Sequence, residues 1–211
     1  TQSRSSAASD VYKRQMHESS TQQAVFEKLA LVGAGLIGSS IARAAREFGA
    51  ANKIAIYDAN PAVMARVQAL SLADVDAPLE DLASTVLDAD LIIICTPVGA
   101  CSAVAKVIAP HLKAQAIVSD VGSVKAAVIA QILPHLPKDI HFIPAHPIAG
   151  TEFSGPDAGF ASLFQNRWCI LTPPENAQDD KVEKLAAFWR RIGARVEEMS
   201  AQHHDKVLAL T

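Results

Sequence analysis

Residues 28–49 read "KLALVGAGLIGSSIARAAREFG", and this stretch decides the fold. "KLALVG" is a short apolar strand, and "IGSSIARAAREFG" is a helix with Gly49 just past its end. Between them, Gly33, Gly35 and Gly38 form G-x-G-x-x-G, with Leu36 and Ile37 inside the turn. Gly33 permits the tight turn. Gly35 lets the backbone approach a pyrophosphate, whose charge rests on the helix N-terminus. Gly38 lets helix and strand pack closely. A second strand, "KIAIYD", ends in Asp58, 20 residues after Gly38. Its carboxylate suits a ribose 2′-hydroxyl and repels a 2′-phosphate, so the expected cofactor is NAD rather than NADP.

Outward from this turn the pattern repeats. "PAVMARVQAL" is a helix with Pro61 in its first turn, and "LEDLAS" is a short helix. "ADLIIICTP" is a strand apolar on both faces, as a central parallel strand should be. "GACSAVAKVIAPHL", "AQAIVSDVG", "SVKAAVIAQIL" and "IHFIPAH" continue as helix, strand, helix and strand. "RWCILTP" and "ARVEEMS" add two strands around the helix "DDKVEKLAAFWRRIG". The expected class is α/β, a doubly wound and mainly parallel sheet of Rossmann type. "AQHHDKVLALT" reads as the first turns of a further helix, the start of a C-terminal helical domain. The expected division is 28–199 for the dinucleotide-binding domain, 16–27 for an N-terminal segment and 200–211 for that start.

Composition narrows the function. The 211 residues are 50% hydrophobic with a net charge of -3, enough for one sizeable core. That charge gives no general attraction to nucleic acid or anionic membrane, and scarce aromatics argue against base stacking. No apolar run approaches the ~20 residues of a membrane span. Cys95, Cys101 and Cys169 are odd in number and form no C-x-x-C, which suits reduced thiols in a cytoplasmic protein. Residues 5–15, "SSAASDVYKRQ", back-translate without mismatch to a transposase-based sequencing adaptor. Residues 1–15 are therefore read as a non-native, disordered leader before a start at Met16.

In an open parallel sheet, ligands sit beyond the carboxyl ends of the strands. Thr96 and Pro97 end one strand, Asp120 to Lys125 follow another, and His146 ends a third, so all should converge with the cofactor on one edge. Ser123 suits either a helix N-cap or a hydrogen bond to a substrate hydroxyl and His146, and both can hold. Lys125 reads as a solvated first-turn lysine, and Asp120 as a brace of the turn. A histidine near its ordinary pKa of ~6.5 takes a proton at neutral pH, which a dehydrogenase needs as hydride leaves a carbon bearing a hydroxyl. His203 and His204 point different ways on a helix, so no metal site is expected there.

"HPIAGTEFSG", together with "VGAGLIGSS", "CTPV" and "DVGSVK" in this order, resembles the prephenate dehydrogenase family, which includes arogenate and cyclohexadienyl dehydrogenases. The resemblance runs from Lys28 to Thr211. It implies a dinucleotide-binding domain and a helical, dimerising second domain. It also implies NAD-dependent oxidative decarboxylation of prephenate to 4-hydroxyphenylpyruvate in tyrosine biosynthesis, or of arogenate to tyrosine. By resemblance, His146 accepts the proton of the substrate ring hydroxyl, Ser123 binds that hydroxyl, and Thr151 and Glu152 line the substrate pocket. The arginine that holds the substrate carboxylate in the family would lie beyond Thr211. This chain alone is then expected to bind NAD, turn over slowly or not at all, and expose an apolar surface where the helical domain docks. The competing readings are a β-hydroxyacid dehydrogenase, which relies on a lysine in the helical part, and a non-catalytic NAD-sensing module.

Overall fold

The computed structural model describes residues 23–74 and 81–209. The adaptor-type leader, the start at Met16 and most of segment 16–27 lie outside them, as do the first two residues of "LEDLAS".

Strand β1 (Phe26–Val32) leads through the glycine turn into helix α1 (Leu36–Glu47) and back to β2 (Ala51–Tyr57). Helix α2 (Pro61–Ala69) starts at Asn60, whose side chain accepts from the Ala62 amide, and Pro61 occupies the first turn. Next come α3 (Leu82–Val86), β3 (Leu91–Ile94), α4 (Cys101–Ile108), β4 (Ile117–Asp120), α5 (Lys125–Ile132) and β5 (His141–Phe142). The five strands form one parallel sheet in the order β2-β1-β3-β4-β5. This is the expected doubly wound class. The order reverses between β1 and β3, and that switch point opens the crevice for a ligand.

Side-chain alternation along the strands feeds a core on each face of the sheet. Leu29, Leu31, Leu91 and Ile93 face one side, packed with Ile41, Phe188 and Trp189. Ala30, Val32, Ile92 and Ile94 face the other, packed with Ala105, Ile108, Val128 and Ile132. Every residue of β3 and β4 is buried, as strands covered on both faces require.

The expected strand "IHFIPAH" divides in two. The Ile143 amide still donates to Val118, but Pro144 has no N–H for the ladder, and the chain leaves the main sheet. Ala145–Pro147 becomes β6, which pairs antiparallel with β7 (Trp168–Leu171). Helix α6 (Asp179–Arg191) then leads to β8 (Arg195–Glu198), parallel to β7. "RWCILTP" and "ARVEEMS" thus build a separate three-stranded sheet rather than widening the first. His146 sits in the middle strand position of β6, opposite Ile170, not at the end of a main-sheet strand. Helix α7 (Ala201–Leu208) closes the described chain and packs on α5.

Candidate active site

The cofactor-type cleft lies at the switch point. It has a volume of about 580 Å³, and its lining includes Gly33, Gly35, Asp58, Thr96 and Pro97. Gly33 has φ +104°, and a Cβ on it would stand 2.8 Å from the Cys95 carbonyl oxygen. A Cβ on Gly38 would stand 2.1 Å from the Gly33 carbonyl oxygen, so helix and turn pack here only without a side chain. Gly35 differs. A Cβ there would meet no protein atom within 4 Å, so its backbone borders open cleft. Leu36, Ile37 and Gly38 open α1, whose first amides have no carbonyl partner within the helix. The Asp58 carboxylate accepts from the Ala34 amide at 2.9 Å and the Asn60 amide at 2.9 Å, which fixes it at the rim of the turn. An open glycine backbone, a helix N-terminus and a fixed carboxylate fit the pyrophosphate and ribose of a dinucleotide. Burial pushes the Cys95 thiol far above its ordinary range, with Asp120 adding to the shift, so it stays a neutral wall of the cleft.

His146 is half-buried on β6, a rigid element that fixes its ring. Its Nδ1 lies 3.0 Å from Nε2 of His204 on α7, and the rings meet edge to face. His204 is fully buried, whereas His203 faces solvent. The His204 Nδ1 is 2.8 Å from Asp205 Oδ1. Desolvation first, then the positive charge of Lys125 and the neighbouring His204, lower the pKa of His146 to about 4, with Asp205 opposing the shift. The expected value near 6.5 is thereby corrected, and the ring is neutral at physiological pH.

Lys125 is corrected too. It is not solvated but 0% exposed, with Nζ 2.6 Å from Asp120 Oδ2 and 2.6 Å from the Ala145 carbonyl oxygen. Asp120, 1% exposed, also accepts from the amides of Gly122 at 2.7 Å and Ala145 at 3.3 Å. It braces its turn, as expected, and it also braces the start of β6. Burial pushes Asp120 up and Lys125 down from their ordinary values, and their mutual attraction opposes both shifts.

Ser123 is exposed in the turn before α5. It is not the N-cap: that position is Val124, which has no capping side chain. The opening amides of α5 are capped from α7 instead, by Asp205 accepting from Lys125 at 2.8 Å and Ala126 at 2.9 Å. Among the described residues the Ser123 hydroxyl makes no hydrogen bond, and the ring nitrogen of His146 is held by His204 rather than by Ser123. Thr151 and Glu152 are exposed on the loop that follows β6, and Thr151 Oγ1 accepts from the Phe153 amide at 3.2 Å. The resemblance of "HD" before a helix to the family's entry into its second domain points His204 toward the cleft, but sequence reading missed its links to His146 and Asp205 and the buried Lys125–Asp120 pair. The adjacent "HD" at 204–205 was the only local sign of the first, and the five-residue spacing from Asp120 to Lys125 of the second.

Fold and cleft together define a nucleotide-binding protein of the Rossmann type. Within that class, the family described as "Prephenate dehydrogenase, nucleotide-binding domain" matches residues 41–198, and the chain belongs to it. A cyclohexadienyl dehydrogenase of Zymomonas mobilis is 45% identical over 187 residues, covering 89% of this chain and 63% of the relative. A prephenate dehydrogenase of Bacillus subtilis is 32% identical, covering 87% and 49%. The crystal structure of the A. aeolicus prephenate dehydrogenase in complex with hydroxyphenyl propionate and NAD+ superposes with a TM-score of 0.78 at 30% identity, covering 86% of this chain and 63% of that one. The chain thus spans 63% of the length of the first of these relatives and 49% of the second. Among the described residues no helix is long and apolar enough to cross a membrane.

Proposed function

We propose that this chain is the NAD-binding part of a cytoplasmic prephenate dehydrogenase that converts prephenate to 4-hydroxyphenylpyruvate, and that works as a homodimer through a helical domain. The observation that carries the reading is a histidine held on β6 by His204, at the start of "HPIAGTE", in a chain whose glycine turn builds a dinucleotide cleft. Gly33, Gly35, Leu36, Ile37, Gly38, Asp58, Thr96 and Pro97 hold the cofactor. When bound, NAD supplies the hydride acceptor. His146 takes the proton of the ring hydroxyl as hydride leaves the same carbon. The bond to the ring carboxylate breaks, its electrons enter the ring, and carbon dioxide departs. The resulting phenolate recovers a proton from His146, so the histidine ends as it began. Aromatisation makes the sequence downhill, and the protein chiefly positions the parts. Ser123 binds the hydroxyl, and Thr151 and Glu152 line the substrate pocket, with Glu152 near its mouth. Exposed Val124, Ile148, Phe153 and Val207, on or beside the elements that carry His146 and His204, support docking of further apolar structure there.

Arogenate is the second substrate to test, since an arogenate dehydrogenase of Synechocystis superposes equally well, with a TM-score of 0.78 at 29% identity. The protein extended past Thr211 should reduce NAD in the presence of prephenate, followed by nicotinamide absorbance, while this chain alone binds NAD with little turnover. Absence of turnover with both ring substrates, despite NAD binding, would overturn the reading.

Asp58 sets the cofactor preference. Asp58→Asn keeps shape and one acceptor oxygen but removes the charge. A hydrogen bond to a charged group is worth about 1.5–3 kcal/mol, so the affinity ratio of NADP to NAD should rise by roughly tenfold or more. Titration of both nucleotides into this chain measures it. An unchanged ratio would leave Asp58 as a brace of the Ala34 amide only.

A further inference from the structure

Asp205 links two elements that are far apart in sequence. Both of its oxygens cap α5, and one of them also meets His204, which in turn meets His146. Although burial pushes the Asp205 carboxyl up, the amides of Ala126 and Lys125 and the His204 ring hold it below its ordinary value. It is therefore a carboxylate at neutral pH, able only to accept. The His204 Nδ1 must then carry a hydrogen. With one hydrogen per ring, His204 Nε2 is an acceptor, and the 3.0 Å contact requires a hydrogen on His146 Nδ1. The lone pair of His146 is left on Nε2, the nitrogen with no partner among the described residues.

We propose that His204 and Asp205 are positioning residues that fix the tautomer and ring orientation of His146, presenting its Nε2 lone pair to the substrate hydroxyl. The proposal rests on the reading of His146 as the base and adds the source of its basicity. When the substrate O–H bond breaks and a hydrogen joins His146 Nε2, the hydrogen on Nδ1 can move to His204 Nε2. The positive charge then rests on His204, beside the Asp205 carboxylate. A ring that resists protonation by itself can in this way accept a proton, because the charge it gains is passed to a group with a counter-ion. The same carboxylate caps α5, so the entry helix α7 cannot shift without loosening the base.

The test needs no substrate, so it can fail independently of the proposed reaction. Histidine ring nitrogens of the 211-residue chain, labelled with ¹⁵N, are observed by long-range ¹H–¹⁵N correlation above the ordinary histidine titration range. The His146 signals are assigned by their loss in His146→Asn. Free neutral histidine prefers its hydrogen on Nε2. The expected result is the opposite tautomer on His146, with hydrogen on Nδ1, and its return to Nε2 in His204→Phe, where the acceptor is gone. A wild-type His146 with its hydrogen on Nε2 would overturn the proposal, as would a tautomer unchanged in folded His204→Phe. If the phenylalanine variant does not fold, the wild-type spectrum decides alone.

Discussion

His146→Asn should lower kcat of the extended protein by about 10²–10⁴-fold, the usual worth of one positioned acid–base group, with KM and NAD affinity changed little. Asparagine occupies similar space on β6 and still offers an N–H toward His204 Nε2, so fold and cleft are retained. It offers no basic nitrogen to the substrate hydroxyl. Hydride cannot leave a carbon whose oxygen keeps its proton without building a protonated carbonyl, and that charge is what the base removes. A loss of less than tenfold would mean the proton goes elsewhere, and the role of the "HPIAGTE" strand would have to be reassigned. The pH profile tests the same group. Because the pKa of His146 is lowered to about 4, the acid limb of kcat/KM should fall as pH drops through that value rather than near the ordinary ~6.5. Between ~6.5 and about 4 the unfolded chain binds this proton and the folded chain does not, so His146 costs stability as pH falls through that window.

The glycine turn and the parallel sheet were legible because their causes are local. A strand, a G-x-G-x-x-G and a helix follow one another within 22 residues, and Asp58 arrives at the end of the next strand. Period-2 and period-3.6 patterns carried the rest of the sheet. What was not legible depends on contacts between distant residues. His146 and His204 are 58 positions apart, and Asp205 caps a helix 79 and 80 positions before it. Only the adjacent "HD" at 204–205 hints at that meeting, and it does not say which residues it meets. Ser123 had the residue type and position of an N-cap, but a carboxylate from α7 took that role. Lys125 was misread for a different reason. First-turn lysines are ordinarily solvated, and only the buried acid at the end of β4 and the Ala145 carbonyl give this one a reason to be inside. Pro144 was visible, yet its consequence, a change of sheet rather than a strand end, needs the second sheet to exist before it can be seen.

Lys125→Met should destabilise the chain by about 3–5 kcal/mol, the cost of breaking a buried ion pair by removing one partner. Methionine matches the stem and fills the space, so packing is not the main loss. Asp120 keeps the Gly122 and Ala145 amides but loses the ammonium at 2.6 Å, and the Ala145 carbonyl loses its buried donor. An uncompensated carboxylate at 1% exposure either stays charged at high cost or takes up a proton. Chemical denaturation reads the effect as a fall in midpoint at unchanged slope. Adding Asp120→Asn to Lys125→Met should recover at least about 1 kcal/mol, since the remaining group is then neutral and can still accept from Gly122. The deficit of the single variant should also shrink as pH falls. An unpaired Asp120 has a raised folded-state pKa, so the folded chain binds the proton first and gains stability on acidification. A loss under about 1 kcal/mol, the range of an exposed pair, would mean that water reaches this pocket and the pair is not buried in solution. The expected loss would tie stability to function through one atom group. Lys125 Nζ holds the carbonyl of the residue that precedes His146, so the pair that secures the sheet edge also sets the backbone from which the base projects.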